Sequence, residues 1–150
     1  MSETKRKLYN LCLVQVQERI ARLQTEMKAL KVSAETDTKS SMGDKYETAR
    51  EMINLEKGKI DQQLAEAMKG KQVLDAIDLD KVFKVCALGS LISTTSANYF
   101  LSISIGKVSL ESDDYFVISP MSPIGQQLLG KKVGERFSFT GKPTAITTVE

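Results

Sequence analysis

The chain has 150 residues, 41% of them hydrophobic and 27% charged, with 21 basic and 19 acidic side chains for a net charge of +2. That length fits one domain or two small ones with a modest core, and the charge balance selects neither nucleic acid nor membrane. There is no His, and the two cysteines, Cys12 and Cys86, lack CxxC spacing, which excludes Ser-His-Asp catalysis, His metal ligation, a four-thiolate zinc site and a disulfide framework.

No apolar run approaches the ~20 residues needed to cross a bilayer. Gln15, Gln17, Glu18 and Arg19 interrupt the apolar residues behind the basic N-terminal segment, so no signal-peptide core follows it. With two cysteines expected to be reduced and buried, the sequence reads as cytoplasmic with no membrane partner. Charge also divides the chain. Residues 1–72 carry 14 basic and 11 acidic side chains, whereas residues 73–150 carry 7 and 8 and are rich in Ser, Thr, Val and Ile. The expected domains are therefore a helical hairpin over 1–72 and a β-rich domain over 73–150, an α+β chain.

Tyr9, Leu13, Val16, Ile20, Leu23, Met27 and Leu30 form a heptad seam, with Gln15, Gln17, Arg19, Arg22, Gln24 and Lys28 on a wet face. A polar turn is expected over residues 34–42. A return helix is expected from about Ser41 to Lys69, with Ser40 or Ser41 as cap, Asp44 in its first turn and Gly70 as its stop. Tyr46, Ala49, Ile53, Ile60, Leu64 and Ala67 make its apolar stripe, interrupted near Glu56 or Lys57. Two such helices of about 27 residues reach roughly 40 Å each, forming an antiparallel coiled coil with the turn at its far tip. Residues 71–80 read as a packed junction, because Leu74, Ile77 and Leu79 lie within it.

Beyond the junction, alternation over Tyr99–Ile105 predicts a strand. Further strands are expected over Val82–Leu88, Lys107–Glu111, Tyr115–Ser119, Glu135–Phe139 and Ala145–Val149, with a turn at Ser112-Asp113-Asp114. One helix is expected between Ser122 as cap, Pro123 at its first position and Gly130 at its end, burying Ile124 and Leu128.

The stretch Ser122-Pro123-Ile124-Gly125-Gln126-Gln127-Leu128-Leu129-Gly130-Lys131-Lys132-Val133-Gly134-Glu135 resembles the C-terminal signature of Gre-type transcription elongation factors. Asp44-Lys45-Tyr46-Glu47-Thr48-Ala49-Arg50-Glu51 is similar to that family's segment just past the hairpin tip, and the layout matches along nearly the whole chain. The resemblance implies a hairpin followed by a small FKBP-like β-domain with one helix. It implies a factor that binds RNA polymerase at the rim of its secondary channel and extends the hairpin toward the active site. The factor would not itself be an enzyme. It would carry no cofactor or metal of its own, and its partners would be the polymerase and, indirectly, nascent RNA. In cleavage-stimulating members two tip acids help hold a second Mg²⁺ at the polymerase centre, where oxygen ligands and a two-metal clamp are required.

At the tip this sequence departs from the pattern. Registered on Tyr46, the family's D-x-x-E pair falls on Lys39 and Met42. Asp37 and Asp44 are the candidate acids near the polymerase Mg²⁺, with Lys39, Met42 and Lys45 as candidate tip contacts. Each also has an ordinary reading, as a solvated turn residue or a first-turn carboxylate. The resemblance thus leaves open whether cleavage is stimulated, competed with or blocked. Two other functions compete with a monomeric polymerase factor. One is a coiled-coil adaptor dimerising through the seam. The other is a prolyl isomerase, by fold analogy alone.

Overall fold

The computed structural model describes residues 3–38 and 43–150, and the side chains of 3–35 and 47–150. Two compact units are present, one comprising Val14–Gln72 and the other Met1–Leu13 together with Val73–Glu150. The sequence places a single break at residue 72, whereas the second unit takes in the first turns of the N-terminal helix as well.

Val14–Gln72 is a helical hairpin. It is built from the greater part of α1 (Glu3–Thr38) and α2 (Gly43–Asp75). Val16 and Leu23 are buried from α1, and Ile60 and Ala67 from α2, with Ile20, Met27, Leu30, Ile53 and Leu64 half-buried along the same stripes. The helices run antiparallel, with Arg19 4.0 Å from Glu66 in an exposed ion pair worth no more than about 1 kcal/mol. Lys57 takes the stripe position where the apolar period lapses, and is half-buried there.

Two boundaries differ from the sequence expectation. α1 runs on to Thr38, so residues 34–38 are helix and not turn; no Pro or Gly stops it. α2 passes through Gly70 and ends at Asp75. A helical Gly costs only about 1 kcal/mol, and the fully buried Leu74 repays an extra turn. Ala76 and Ile77 then close the helix by donating to Val73 and Leu74 carbonyls at 3.2 and 3.1 Å.

The second unit carries a six-stranded mixed sheet in the order β3-β4-β2-β1-β6-β5. Its strands are β1 (Leu91–Thr94), β2 (Asn98–Leu101), β3 (Gly106–Leu110), β4 (Asp113–Ile118), β5 (Arg136–Phe139) and β6 (Lys142–Val149), with α3 (Pro123–Leu128) between β4 and β5. β2 and β4 are parallel and the other pairings antiparallel. Leu91, Phe100 and Val117 are in register on one face. Ile92, Leu101 and Ile146 belong to the core with Cys86, Phe137 and the α3 residues Ile124 and Leu128. Both faces of the central strands are thus buried.

The first turns of α1 belong to this unit. There Leu8 and Cys12 are fully buried, while Tyr9 and Leu13 are half-buried, a shift of one position from the heptad seam. Cys12 Sγ lies 3.8 Å from Ser102 Oγ, and Tyr9 donates its hydroxyl to the Leu74 carbonyl at 2.9 Å.

Several strand expectations are corrected. Residues 82–88 are not a strand. Cys86 donates to the Lys131 carbonyl and accepts from Gly130 N–H, both at 2.8 Å, but no ladder extends from that exchange. β2 stops at Leu101, short of Ile105, and β1 is an additional four-residue strand. The β3–β4 turn is Glu111-Ser112, with φ of 51° and 72°, so Asp113 and Asp114 are strand residues. Paired positive φ values are what a two-residue hairpin with the proper twist requires. Thr140 and Gly141, at 54° and 80°, do the same between β5 and β6. β6 starts earlier than expected and includes Pro143, whose missing N–H is tolerated because β1 pairs only from Ile146 onward.

Candidate functional site

Two sites follow from the sequence, the hairpin tip and the turn into α3. At the tip, Asp37 is the penultimate residue of α1 and Asp44 the second of α2. The side chains of Asp37, Asp44 and Lys45 lie outside the described residues, as do Lys39 and Met42 altogether. The backbone positions still carry electrostatic meaning. A carboxylate in the first turn of α2 is favoured by the helix dipole, and one in the last turn of α1 is disfavoured, each by about 0.3–1 kcal/mol.

The turn into α3 is fully described. Ser119 O accepts from Ser122 N–H at 3.0 Å and from the Ser122 hydroxyl at 2.6 Å. Ser122 Oγ in turn accepts from Gly125 N–H at 3.1 Å, capping the helix. Pro123 follows at the first helical position, where its missing N–H costs nothing. On the other side Met121 N–H donates to Ser119 Oγ at 3.1 Å, and Gln126 Nε2 reaches the Met121 carbonyl at 3.1 Å. Gly125 packs so tightly beneath that a Cβ there would sit 2.2 Å from Ser119 O.

This knot of bonds fixes the backbone on both sides of Met121, whose side chain is 76% exposed. Single exposed apolar side chains are common on protein surfaces; what sets Met121 apart is the hydrogen-bonded turn that fixes its backbone. The exposed Leu129 and Val133 follow α3 in sequence. Sequence reasoning identified Ser122 and Pro123 as a helix start but passed over Met121. The spacing Ser-Pro-x-Ser-Pro is the available signal, since it brackets Met121 between two Ser-Pro pairs.

Little else in this unit is poised for chemistry. Among the described residues no group of three His, Cys, Asp or Glu is placed to hold a metal ion. Both thiols are buried, which raises the Cys12 pKa and pushes Cys86 up to about 11, so neither is an activated nucleophile. The Asp114 carboxyl is held below its usual range by hydrogen bonds from Ser109 and Lys107, an exposed arrangement on the β3–β4 hairpin. No helix among the described residues is long and apolar enough to cross a membrane.

Residues 105–150 match the family model described as transcription elongation factor, GreA/GreB, C-terminal. The matched segment includes β3, β4, α3, β5 and β6. A solved structure titled "Structure of the transcription factor Gfh1" is similar at 20% identity, over 94% of this chain and 92% of that one, with a TM-score of 0.35. No curated protein matches.

Proposed function

We propose that this chain is an RNA polymerase-binding transcription elongation factor that places its helical hairpin in the secondary channel. The match of residues 105–150 to the GreA/GreB C-terminal family carries the reading and supports a Gre-type elongation factor. An N-terminal helical hairpin and a C-terminal sheet with one short helix agree with it. In this reading the α3 turn, with Met121 at its exposed point, is the surface that docks on the polymerase. The hairpin acts inside the channel and adds no catalytic group of its own; the chemistry remains that of the polymerase and its Mg²⁺.

In the register set by Tyr46, the two acids of cleaving relatives would fall on Lys39 and Met42. The factor therefore acts chiefly as an occupant of the channel that competes with a cleaving factor. A backtracked elongation complex with end-labelled RNA tests this. Expected is tight binding, no faster RNA shortening, and slowed cleavage by a cleaving factor added alongside. Met121→Asp weakens binding about tenfold or more, the loss of one well-packed apolar anchor. Faster cleavage that disappears in Asp37→Ala or Asp44→Ala would instead make those carboxylates Mg²⁺ ligands. Absence of binding would overturn the polymerase reading.

A further inference from the structure

The strand pair β5–β6 carries positive charge with nothing to balance it. Residues 136–149 include Arg136 and Lys142 and no acid, and residues 85–106, which contain β1 and β2, have no charged side chain. The acids that flank these strands are turned elsewhere. Glu135 Oε1 accepts from Lys132 N–H at 3.3 Å in the turn before β5. Glu150 exchanges backbone bonds with Leu91, at the opposite end of β1 from Thr94. Arg136 is exposed and makes no hydrogen bond or ion pair among the described residues.

A cleft of about 250 Å³ opens beside it, lined by Thr95, Arg136, Pro143, Thr144 and Ala145. That is below the roughly 300–1,000 Å³ of sites for drug-sized ligands and leaves room for one oxyanion group. It lies where the β1–β6 pairing becomes irregular. The register shifts between Ser93 and Thr94. Beyond the shift, Thr95 N–H donates to the Ala145 carbonyl at 3.0 Å, and Ala145 N–H donates to Thr95 Oγ1 at 3.1 Å. The hydroxyl thus stands in for a backbone carbonyl and keeps its own hydrogen, for which the described residues supply no acceptor. Thr144 is only 6% exposed, and its hydroxyl meets Ser96 Oγ at 2.9 Å. With Ser96 as the donor in that pair, the Thr144 hydroxyl has a hydrogen to give as well.

The lining therefore offers one guanidinium and two hydroxyl donors, and no carboxylate opposes them. Donors arriving from more than one direction suit a tetrahedral oxyanion better than a planar carboxylate, and a guanidinium fork matches phosphate oxygens in pairs. We propose that this cleft binds the phosphoryl group of a small ligand, held by Arg136 with the Thr95 and Thr144 hydroxyls. It uses no residue of the α3 turn or of the hairpin tip, so it stands or falls separately from polymerase binding.

Inorganic phosphate and methyl phosphate are the probes, with acetate as the comparison. Each is titrated into the full chain at constant pH and ionic strength and followed by NMR of the Arg136 Nε–H and the Thr95 and Ala145 amides. Expected is one saturable isotherm shared by the three signals with a phosphoryl probe, at a Kd on the order of 1–10 mM, and several-fold weaker binding of acetate. Arg136→Gln should weaken the phosphoryl probe about tenfold, read from the two amides. Arg136 is exposed and unpaired, so that variant leaves the fold intact. Lys142→Gln, which removes a neighbouring cation outside the cleft lining, should weaken it less than about twofold, because its charge is screened by salt. Tighter binding of methyl phosphate supports a monoester as the ligand, and tighter binding of inorganic phosphate supports the free ion. Three outcomes would overturn the proposal: no saturable shift up to roughly 50 mM of either phosphoryl probe, a limit that corresponds to negligible affinity; acetate binding as tightly as phosphate; or an equal loss in Lys142→Gln and Arg136→Gln, which would reduce the effect to general charge attraction.

Discussion

Gly125 has room for nothing larger than hydrogen on its Cα. A methyl placed there would lie 2.2 Å from Ser119 O and 2.8 Å from Ser122 Oγ, and the nearer obstacle is backbone, which cannot rotate aside. Ser119 O is also the acceptor on which the Ser122 cap depends. Gly125→Ala must therefore either push α3 away from the sheet or break the turn that presents Met121. It is expected to destabilise the chain by about 1–3 kcal/mol, the usual range for overpacking, as read from the urea midpoint at unchanged slope. If the proposed docking through Met121 holds, polymerase affinity falls with it, because the same displacement moves Met121. Gly130 also falls in the family-like stretch, but it has open space around its missing Cβ and a φ of 80°, so its constraint is torsional.

At the scale of elements, the sequence was legible where one face of a long periodic segment meets a single partner. The α1 and α2 stripes from Val16 onward follow the heptad reading, and Ser122, Pro123 and Gly130 bracket α3 as their capping chemistry requires. It misled where partners come from elsewhere in the chain. Leu8 and Cys12 replace Tyr9 and Leu13 as the buried pair because that part of α1 belongs to the sheet unit. β1 carries two consecutive buried residues, Leu91 and Ile92, so it lacks the alternation by which a half-buried strand is recognised. Residues 82–88 look strand-like in composition but have only the Cys86 exchange to pair with. The candidate tip residues were legible as residue types, whereas the turn proposed here as a contact surface required the geometry of its hydrogen bonds. Gly58 tests the helical reading directly. It lies inside α2 with nothing within 4 Å of a built Cβ, so Gly58→Ala meets no obstacle and gains helix propensity. Thermal or urea unfolding should show a stabilisation of about 0.5–1 kcal/mol. No change, or a loss, would mean that α2 needs its flexibility there.

At the scale of the whole molecule, the buried titratable groups make stability depend on alkaline pH, and the signs can be worked out. The Cys86 thiol has its pKa pushed from 9.0 up to about 11, chiefly by burial. Between those values the unfolded chain has lost this proton and the folded chain still holds it, so stability falls as pH rises through the window. Cys12, raised by burial despite its contact with Ser102, acts in the same direction. Lys5 acts oppositely. Its folded pKa lies below the ordinary 10.5, so the folded chain releases that proton first, and a penalty present at neutral pH is relieved as pH rises through that interval. The exposed Lys7, raised by its hydrogen bond to Glu111, loses its stabilising contribution only above 10.5. The Cys86 shift is the large one, so unfolding free energy is expected to decline from about pH 9 to 11. Cys86→Ala should flatten that decline while lowering stability at neutral pH through the cavity it leaves. Lys5→Met should steepen the decline by removing the opposing group. Urea titrations at a series of pH values measure all three slopes. A Lys5→Met slope no steeper than that of the parent chain would show that Lys5 does not oppose the thiols over this pH range.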